Sequence, residues 1–250
     1  MITRLLSILQ LAAETPASIT AKLRGADARA YAFLRRPWIA QLGIQTVLDV
    51  GGNVGHWAKA CRLAMPAVAI CSFEPLPACQ EALRKRMAGD ARHQTLSMAL
   101  GSRPGELTMH VHAHAASSSL LPETDTMRDL NRGRGTMGEL PVPVETLDNM
   151  ASVHKWSRPY LLKIDVQGYE LEVLKGAAGM LPDTALIIAE TSFRPLYQGQ
   201  ACFQQIHDYV SNSGFVYMGS SESVLKMGNG LEVQQDSLFI NELFLPKVDR

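Results

Sequence analysis

The sequence has no excess of either charge: 24 lysines and arginines balance 24 aspartates and glutamates. A general electrostatic attraction to nucleic acid or to an anionic membrane is therefore excluded, and any partner has to be recognised locally. Only four cysteines occur, Cys61, Cys71, Cys79 and Cys202, in no CxxC or finger-like spacing, which argues against a zinc module or a disulfide framework. They read as reduced thiols in a cytoplasmic protein. No apolar stretch approaches the ~20 residues of a membrane span. The opening MITRLLSILQLAAE has a basic residue and then an apolar run, as a secretion signal does, but Glu14 ends the run and no clear small-x-small cleavage site follows.

What is present is an alternation. At 250 residues and 46% apolar, the chain is long enough for one substantial core. Residues 1 to about 40 look helical: Leu5, Ile8, Leu9 and Ala12 recur at helical spacing, and a second segment carries Arg24, Arg29, Arg35 and Arg36. This segment is a helical cover, an acceptor-site wall or a membrane-surface helix. From about residue 41, buried strands (IQTVLDV, AVAICSF, QTLSMAL, YLLKIDV, TALIIAE, FVYMG, LFINELFL) alternate with helices at 55–64, 77–88, YELEVLKGAAGM and CFQQIHDYVSNSG. Continuous apolar strands separated by amphipathic helices predict a doubly wound α/β domain with a mostly parallel sheet. The rhythm breaks at about 102–147, where GELTMHVHA reads as a half-exposed strand and AASSSLLPETDTMRDLNRGRGTMGELP as a long turn-rich segment. An insertion of this kind is expected at the ligand-binding rim of the sheet.

The most informative stretch is VLDVGGNVGHW, residues 47–57. It is a strand running into a glycine turn and then a helix, the arrangement that normally holds a nucleotide phosphate. Yet the dinucleotide pattern GxGxxG fails at two of three positions, with Asn53 and His56 where glycines belong, and no Gly-Lys-Ser/Thr follows. The frame that fits is Asp49, Gly51, Asn53 and Gly55, with Gly52 inside it. Asp49 opposes a phosphate but suits a cation, and S-adenosylmethionine carries an ammonium and a sulfonium without phosphate. The alternative is a tight turn with Asp49 capping the helix. Glu74 ends the next strand, about twenty residues on, where an acidic group accepts both ribose hydroxyls of an adenosine.

VLDVGGNVGHW, FEP, ALGSRPGEL, SSSL, VPVETLD and LLKIDVQGYELEVLKGA, in this order over residues 45–245, resemble the FkbM-type branch of the class I S-adenosylmethionine-dependent methyltransferases. The resemblance implies a Rossmann-like fold and O-methylation of a hydroxyl, often on a sugar or natural-product scaffold. It also implies that Asp49, Gly51, Asn53 and Gly55 hold the methionine part, Glu74 the ribose, and the segment from Ser97 through Ala99 and Leu100 the adenine. Ser97 stands where the family often has Asn, Ser102 where it often has Asp, and Gln167 where it often has Glu.

The acceptor side is read from position. Asp165 ends its strand at the carboxyl rim and is the first candidate for base, orienter or metal ligand; Lys163 shares its strand face. Glu190 is expected to line the acceptor site, as are Ser118 and Ser119, in a serine run that begins at Ser117. His56 opens the first helix, where the dipole favours its neutral, proton-accepting form. His110, His112 and His114 share one face if HVHAH is a strand; an exposed strand face explains them better than a metal. Arg128, Arg132 and Arg134 belong to a solvated loop or hold an acceptor phosphate. The expected partner is a small-molecule or glycan acceptor. Rival readings are a nicotinamide-dependent oxidoreductase, a non-catalytic protein of the same fold, and N- or C-methylation on the same scaffold.

Overall fold

A computed structural model describes residues 16–131, 135–226 and 230–245; the helix expected around Leu5–Ala12, the residues of the secretion-signal question, Arg132 and Arg134 lie outside them. Three helices come first: α1 (Pro16–Leu23), α2 (Ala28–Leu34) and α3 (Pro37–Gln41). The carboxylate of Asp27 caps α2 by accepting from the amides of Arg29 and Ala30 at 2.8 and 2.9 Å. The alternation then runs β1 (Thr46–Val50), α4 (His56–Ala64), β2 (Ala69–Phe73), α5 (Pro77–Arg86), β3 (His93–Leu96), β4 (Ala99–Leu100), β5 (Gly105–His112), α6 (Asp125–Leu130), β6 (Thr136–Glu145), α7 (Leu147–His154), β7 (Tyr160–Ile164), α8 (Glu170–Lys175), β8 (Thr184–Ser192), α9 (Phe203–Ser211), β9 (Phe215–Lys226) and β10 (Glu232–Asn241).

The main sheet has the order β3-β2-β1-β7-β8-β10-β9. Only β10 runs against the others, paired antiparallel to both β8 and β9. The continuous apolar runs are explained by coverage of both faces. Along β1, β7 and β8 alternate residues serve opposite sides: Leu48, Val50, Leu162, Ile164 and Ile187 pack with Leu147 of α7, Val173 of α8 and Ile206 of α9. Val47, Leu161, Leu186 and Ile188 instead pack with Phe33 of α2, Ile39 of α3, Cys61 of α4 and Leu83 of α5. The arginine-bearing N-terminal segment thus contributes to the core, while Arg35 and Arg36 lie against the rings of Tyr31 and Phe33.

Several expectations need correcting. QTLSMAL is not one strand: it breaks at Ser97–Met98, and β4 leaves the main sheet for a second one of order β4-β6-β5. The helix expected through residue 180 ends at Lys175. There Gly176 passes so close to the preceding insertion that a Cβ would lie 2.0 Å from the Gly101 carbonyl oxygen. The turn-rich segment holds α6 and the ten-residue strand β6. Pro141 and Pro143 hide that strand in the sequence, since proline cannot donate to a ladder. They are accommodated because β4 pairs β6 only at Val144 and Glu145, leaving one edge open beside the prolines. HVHAH is not a single face either: β5 ends at His112 after a register shift between Val111 and His112. His110 lies 3.2 Å from Glu139, whereas the buried His112 lies 3.5 Å from Glu123. Among the described residues, no helix is long and apolar enough to cross a membrane.

Candidate active site

The glycine loop after β1 is shaped by the neighbouring strand. Gly51 has φ +78°, and a Cβ there would sit 1.8 Å from the Asp165 carbonyl oxygen at the end of β7. Its backbone approaches β7 too closely for any side chain. Asn53 follows with φ +46° and Gly55 with φ +83°. The amides of this loop face inward: those of Gly51 and Gly52 both donate to the Phe73 carbonyl at 3.0 Å, and that of Gly55 to the Gly52 carbonyl at 2.9 Å. The Asn53 amide donates to Glu74 Oε2 at 2.8 Å. Four donors that would cradle a pyrophosphate are engaged within the protein.

Glu74 leaves β2 at the floor of a cleft of about 620 Å³. Its other oxygen accepts from the Leu76 amide at 2.8 Å. Burial pushes this carboxyl up to about 6, against the pull of those two amides and of Lys163. Phe73, Leu76 and Met98 to Leu100 give it an apolar lining, which Gly51, Asn53, Asp165 and Gln167 share. Ser118, Ala115 and Leu120 of the insertion also line it, and among the described residues no lysine or arginine does. Ser118 accepts from the His112 amide at 3.0 Å. Ser97 is turned away, its hydroxyl donating to Gln80 Oε1 at 2.8 Å and accepting from Arg84 at 2.7 Å. Ser119 is fully buried and bonded to the Gln167 carbonyl at 2.6 Å.

A second cleft, of about 810 Å³, adjoins the first and shares Gly51, Asn53 and Asp165 with it. Asp27, His56, Trp57, Lys163, Glu190 and Asp236 contribute to it. Asp49 lines neither cleft. It is fully buried, and the three-strand register explains its partners: Ser72 and Lys163 are the residues paired with it on β2 and β7. Ser72 donates to its Oδ2 at 2.8 Å, and Lys163 Nζ stands 3.3 Å from its Oδ1. Lys163 also donates to the Gly51 carbonyl at 2.9 Å and lies 3.6 Å from Asp165. Burial would lower its pKa, but the Asp49 and Asp165 carboxylates outweigh that and raise it. Within the protein, the cation beside Asp49 is the Lys163 ammonium.

Asp165 and Glu190 come together, and Gln167 joins them. The Gln167 side-chain amide donates to Asp165 Oδ1 at 2.9 Å and to Glu190 Oε2. Burial, then the charges of Asp165, Glu170 and Asp236, hold the Glu190 carboxyl well above the usual carboxylate range. His56 is held elsewhere: its Nδ1 lies 2.8 Å from the Gly25 carbonyl and its Nε2 3.4 Å from Arg86. A carbonyl only accepts, so Nδ1 carries the proton and the lone pair of Nε2 faces a guanidinium. Arg128 pairs with Asp125 on α6.

The sequence model of the FkbM methyltransferase domain matches residues 49–217, which span the glycine loop, Glu74, the insertion and the Asp165–Glu190 pair. The chain belongs to the FkbM methyltransferase family. It is similar to the 2-O-methyltransferase NoeI of Sinorhizobium fredii, 28% identical over 171 residues that cover 65% of this chain and 69% of that protein. It is also similar to the hexuronic acid methyltransferase AglP of Haloferax volcanii, 27% identical over 57% of this chain and 54% of that one. The chain thus spans roughly half to two thirds of these relatives. Among solved structures it is similar to the N-terminal domain of EvdMO1 with SAH bound, at a TM-score of 0.47 and 10% identity, covering 85% of this chain and 80% of that one.

In this methyltransferase the three departures from the family pattern have different settings. Ser97 serves α5, and Ser102 donates to Glu172 Oε2 at 2.6 Å, away from both clefts. Gln167 is the departure that lies in the site. Sequence reading missed its role, along with the apolar walls Phe73 and Leu76 and the second-cleft residues Asp27, Trp57 and Asp236. The positions of Asp27 and Asp236 depend on a helix cap and an antiparallel strand, and neither carries a motif.

Proposed function

We propose that this methyltransferase transfers a methyl group from S-adenosylmethionine to a hydroxyl group of a sugar or glycosylated small molecule. The observation that carries the cofactor assignment is the character of the glycine loop and its cleft. The loop amides are engaged internally and, among the described residues, the cleft is lined by carboxylates and no basic side chain, which favours a nucleoside with hydroxyl and ammonium donors over a diphosphate. Glu74 would accept from the ribose hydroxyls with the lone pairs that the Asn53 and Leu76 amides leave. Met98, Ala99 and Leu100 would flank the adenine, with Ser97 outside that contact. Gly51 and Asn53 would flank the methionine part, with Asp49 acting from beneath through Lys163.

The cofactor, when bound, supplies an electrophilic methyl carbon on its sulfonium. The protein's part is then chiefly positioning, which contributes several kcal/mol when oxygen and carbon are held ~3–3.5 Å apart. Asp165, at the boundary of the two clefts, would orient the acceptor hydroxyl and take its proton, a step worth about 10²- to 10⁴-fold. Glu190 beside it would carry a proton, so that the pair bears one charge rather than two. His56 is omitted from this reading because both ring nitrogens are engaged. The hydroxyl and sugar assignments draw on the activities named for NoeI and AglP. Incubation with methyl-labelled S-adenosylmethionine and a panel of methyl glycosides tests the reading. Labelled methyl ethers are expected, and Asp165→Asn should lose turnover while keeping cofactor affinity; label recovered only on nitrogen or carbon would overturn it.

A further inference from the structure

Gln167 has the most constrained surroundings in the site. It is a non-glycine residue at φ +56°, in the left-handed region, a conformation that persists only where its surroundings enforce it. Every polar atom of its side chain is engaged. Tyr197, fully buried, holds its hydroxyl 2.9 Å from Oε1 and 3.1 Å from the Ser117 carbonyl, its single hydrogen shared between the two acceptors; the carboxylates at the other end of the amide make Nε2 the donor there and leave Oε1 facing Tyr197. Nε2 then gives its two hydrogens to Asp165 Oδ1 and Glu190 Oε2. The backbone is held as firmly. Buried Ser119, from the insertion, donates to the Gln167 carbonyl at 2.6 Å. On either side, the amides of Val166 and Gly168 donate to Glu170 Oε1 at 3.1 and 3.0 Å. The Tyr197 ring leaves no room beside the turn: a Cβ on Gly168 would lie 3.0 Å from it.

We propose that Gln167 is a positioning residue whose amide, oriented by Tyr197, holds the Asp165 and Glu190 carboxylates together as one unit at the junction of the two clefts. The inference deepens the methyl-transfer reading above and rests on it for the purpose of the pair. An amide can do this where a carboxylate cannot. Glutamate at this position could still accept from Tyr197 but would face Asp165 and Glu190 with oxygens only, and one proton would have to be taken up to bridge them. Among the described residues, the titratable and charged groups around the pair include Lys163 from β7, Asp49 from β1, Glu170 from α8, Asp236 from β10, Tyr197, and His56 of the shared cleft. Lys163 is the one cation among them, and its contacts run to Asp49, Asp165 and the Gly51 carbonyl. Gln167 is therefore the neutral donor that Glu190 has on the side facing Asp165.

The test does not depend on knowing the acceptor. Carboxyl-¹³C NMR titrations of the full chain, with resonances assigned through Asp165→Asn, Glu190→Gln and Glu74→Gln, are compared for the wild type, Gln167→Leu and Gln167→Glu. The expected result is that both variants move the titration of Asp165 and Glu190 upward, by about one pH unit, through loss of donor hydrogen bonds. Glu74 should keep its wild-type curve. Tyr197→Phe, which frees the amide to turn over, should give a smaller shift of the same sign. If Asp165 and Glu190 titrate in Gln167→Leu and Gln167→Glu as they do in the wild type, the proposal is overturned. A shift shared equally by Glu74 would also overturn it, because that marks a general loosening. Loss of S-adenosylhomocysteine binding by the wild type would instead reject the methyl-transfer reading and leave the clamp to be judged by the titrations alone.

Discussion

Asp49 and Lys163 face each other across β1 and β7, each one residue before its strand ends. Both are almost wholly removed from water. Attraction between buried charges barely offsets their desolvation, but removing one partner strands the other. Lys163→Met is therefore expected to cost about 3–5 kcal/mol in urea unfolding, and adding Asp49→Asn to that variant should recover part of the loss. The sequence contained half of this: Asp49 before a glycine turn suits a cation better than a phosphate. Its being an internal lysine depends on strand register, which spacing along the chain does not reveal. Glu74 was legible by contrast, because its distance from the glycine turn follows from the length of one helix and one strand. Its carboxyl is pushed up to about 6 by burial, and in the proposed role it would have to be ionised to accept from both ribose hydroxyls. Affinity for S-adenosylhomocysteine should hold steady above about pH 7 and weaken as the pH falls through 6, as calorimetry at several pH values would show.

The turn between β7 and α8 does for the site what the glycine loop does for the cleft, and its geometry comes from one buried side chain. Glu170 Oε1 binds the Val166 and Gly168 amides, and burial raises its carboxyl to about 7 in spite of those bonds. Between its ordinary value of 4.5 and about 7 the folded protein thus holds a proton that the unfolded chain releases. Stability from this group is complete below about pH 4.5 and declines as the pH rises through 7. The decline is on the order of 3 kcal/mol. Glu170→Gln keeps the acceptor oxygen without the titration, so the fall in melting temperature between pH 5 and 8 is expected to flatten in that variant; an unchanged slope would remove Glu170 as its source. In the sequence, KIDVQGYE marked this element as important and placed Asp165 at the strand end. It could not show that Gln167 turns left-handed or that Tyr197 reaches back to it. The insertion was legible as an interruption at the ligand rim, while β6 was masked by its two prolines.

At the scale of the whole molecule, two clefts share one glycine loop, and the reversed strand β10 and the second sheet complete their walls. Doubly wound folds commonly present this rim to phosphates. Here the loop amides turn inward to Phe73, Glu74 and Gly52, and among the described residues the two clefts are lined by carboxylates, with Lys163 paired to Asp49 and Asp165. That reversal of polarity links the missing GxGxxG pattern to the proposed cofactor. Competition calorimetry tests it most directly, by titrating the full chain with S-adenosylhomocysteine in the presence and absence of excess NAD or ADP. Undiminished binding of S-adenosylhomocysteine is the expected result, whereas displacement by the diphosphates, or tighter binding of NAD than of S-adenosylhomocysteine, would contradict it.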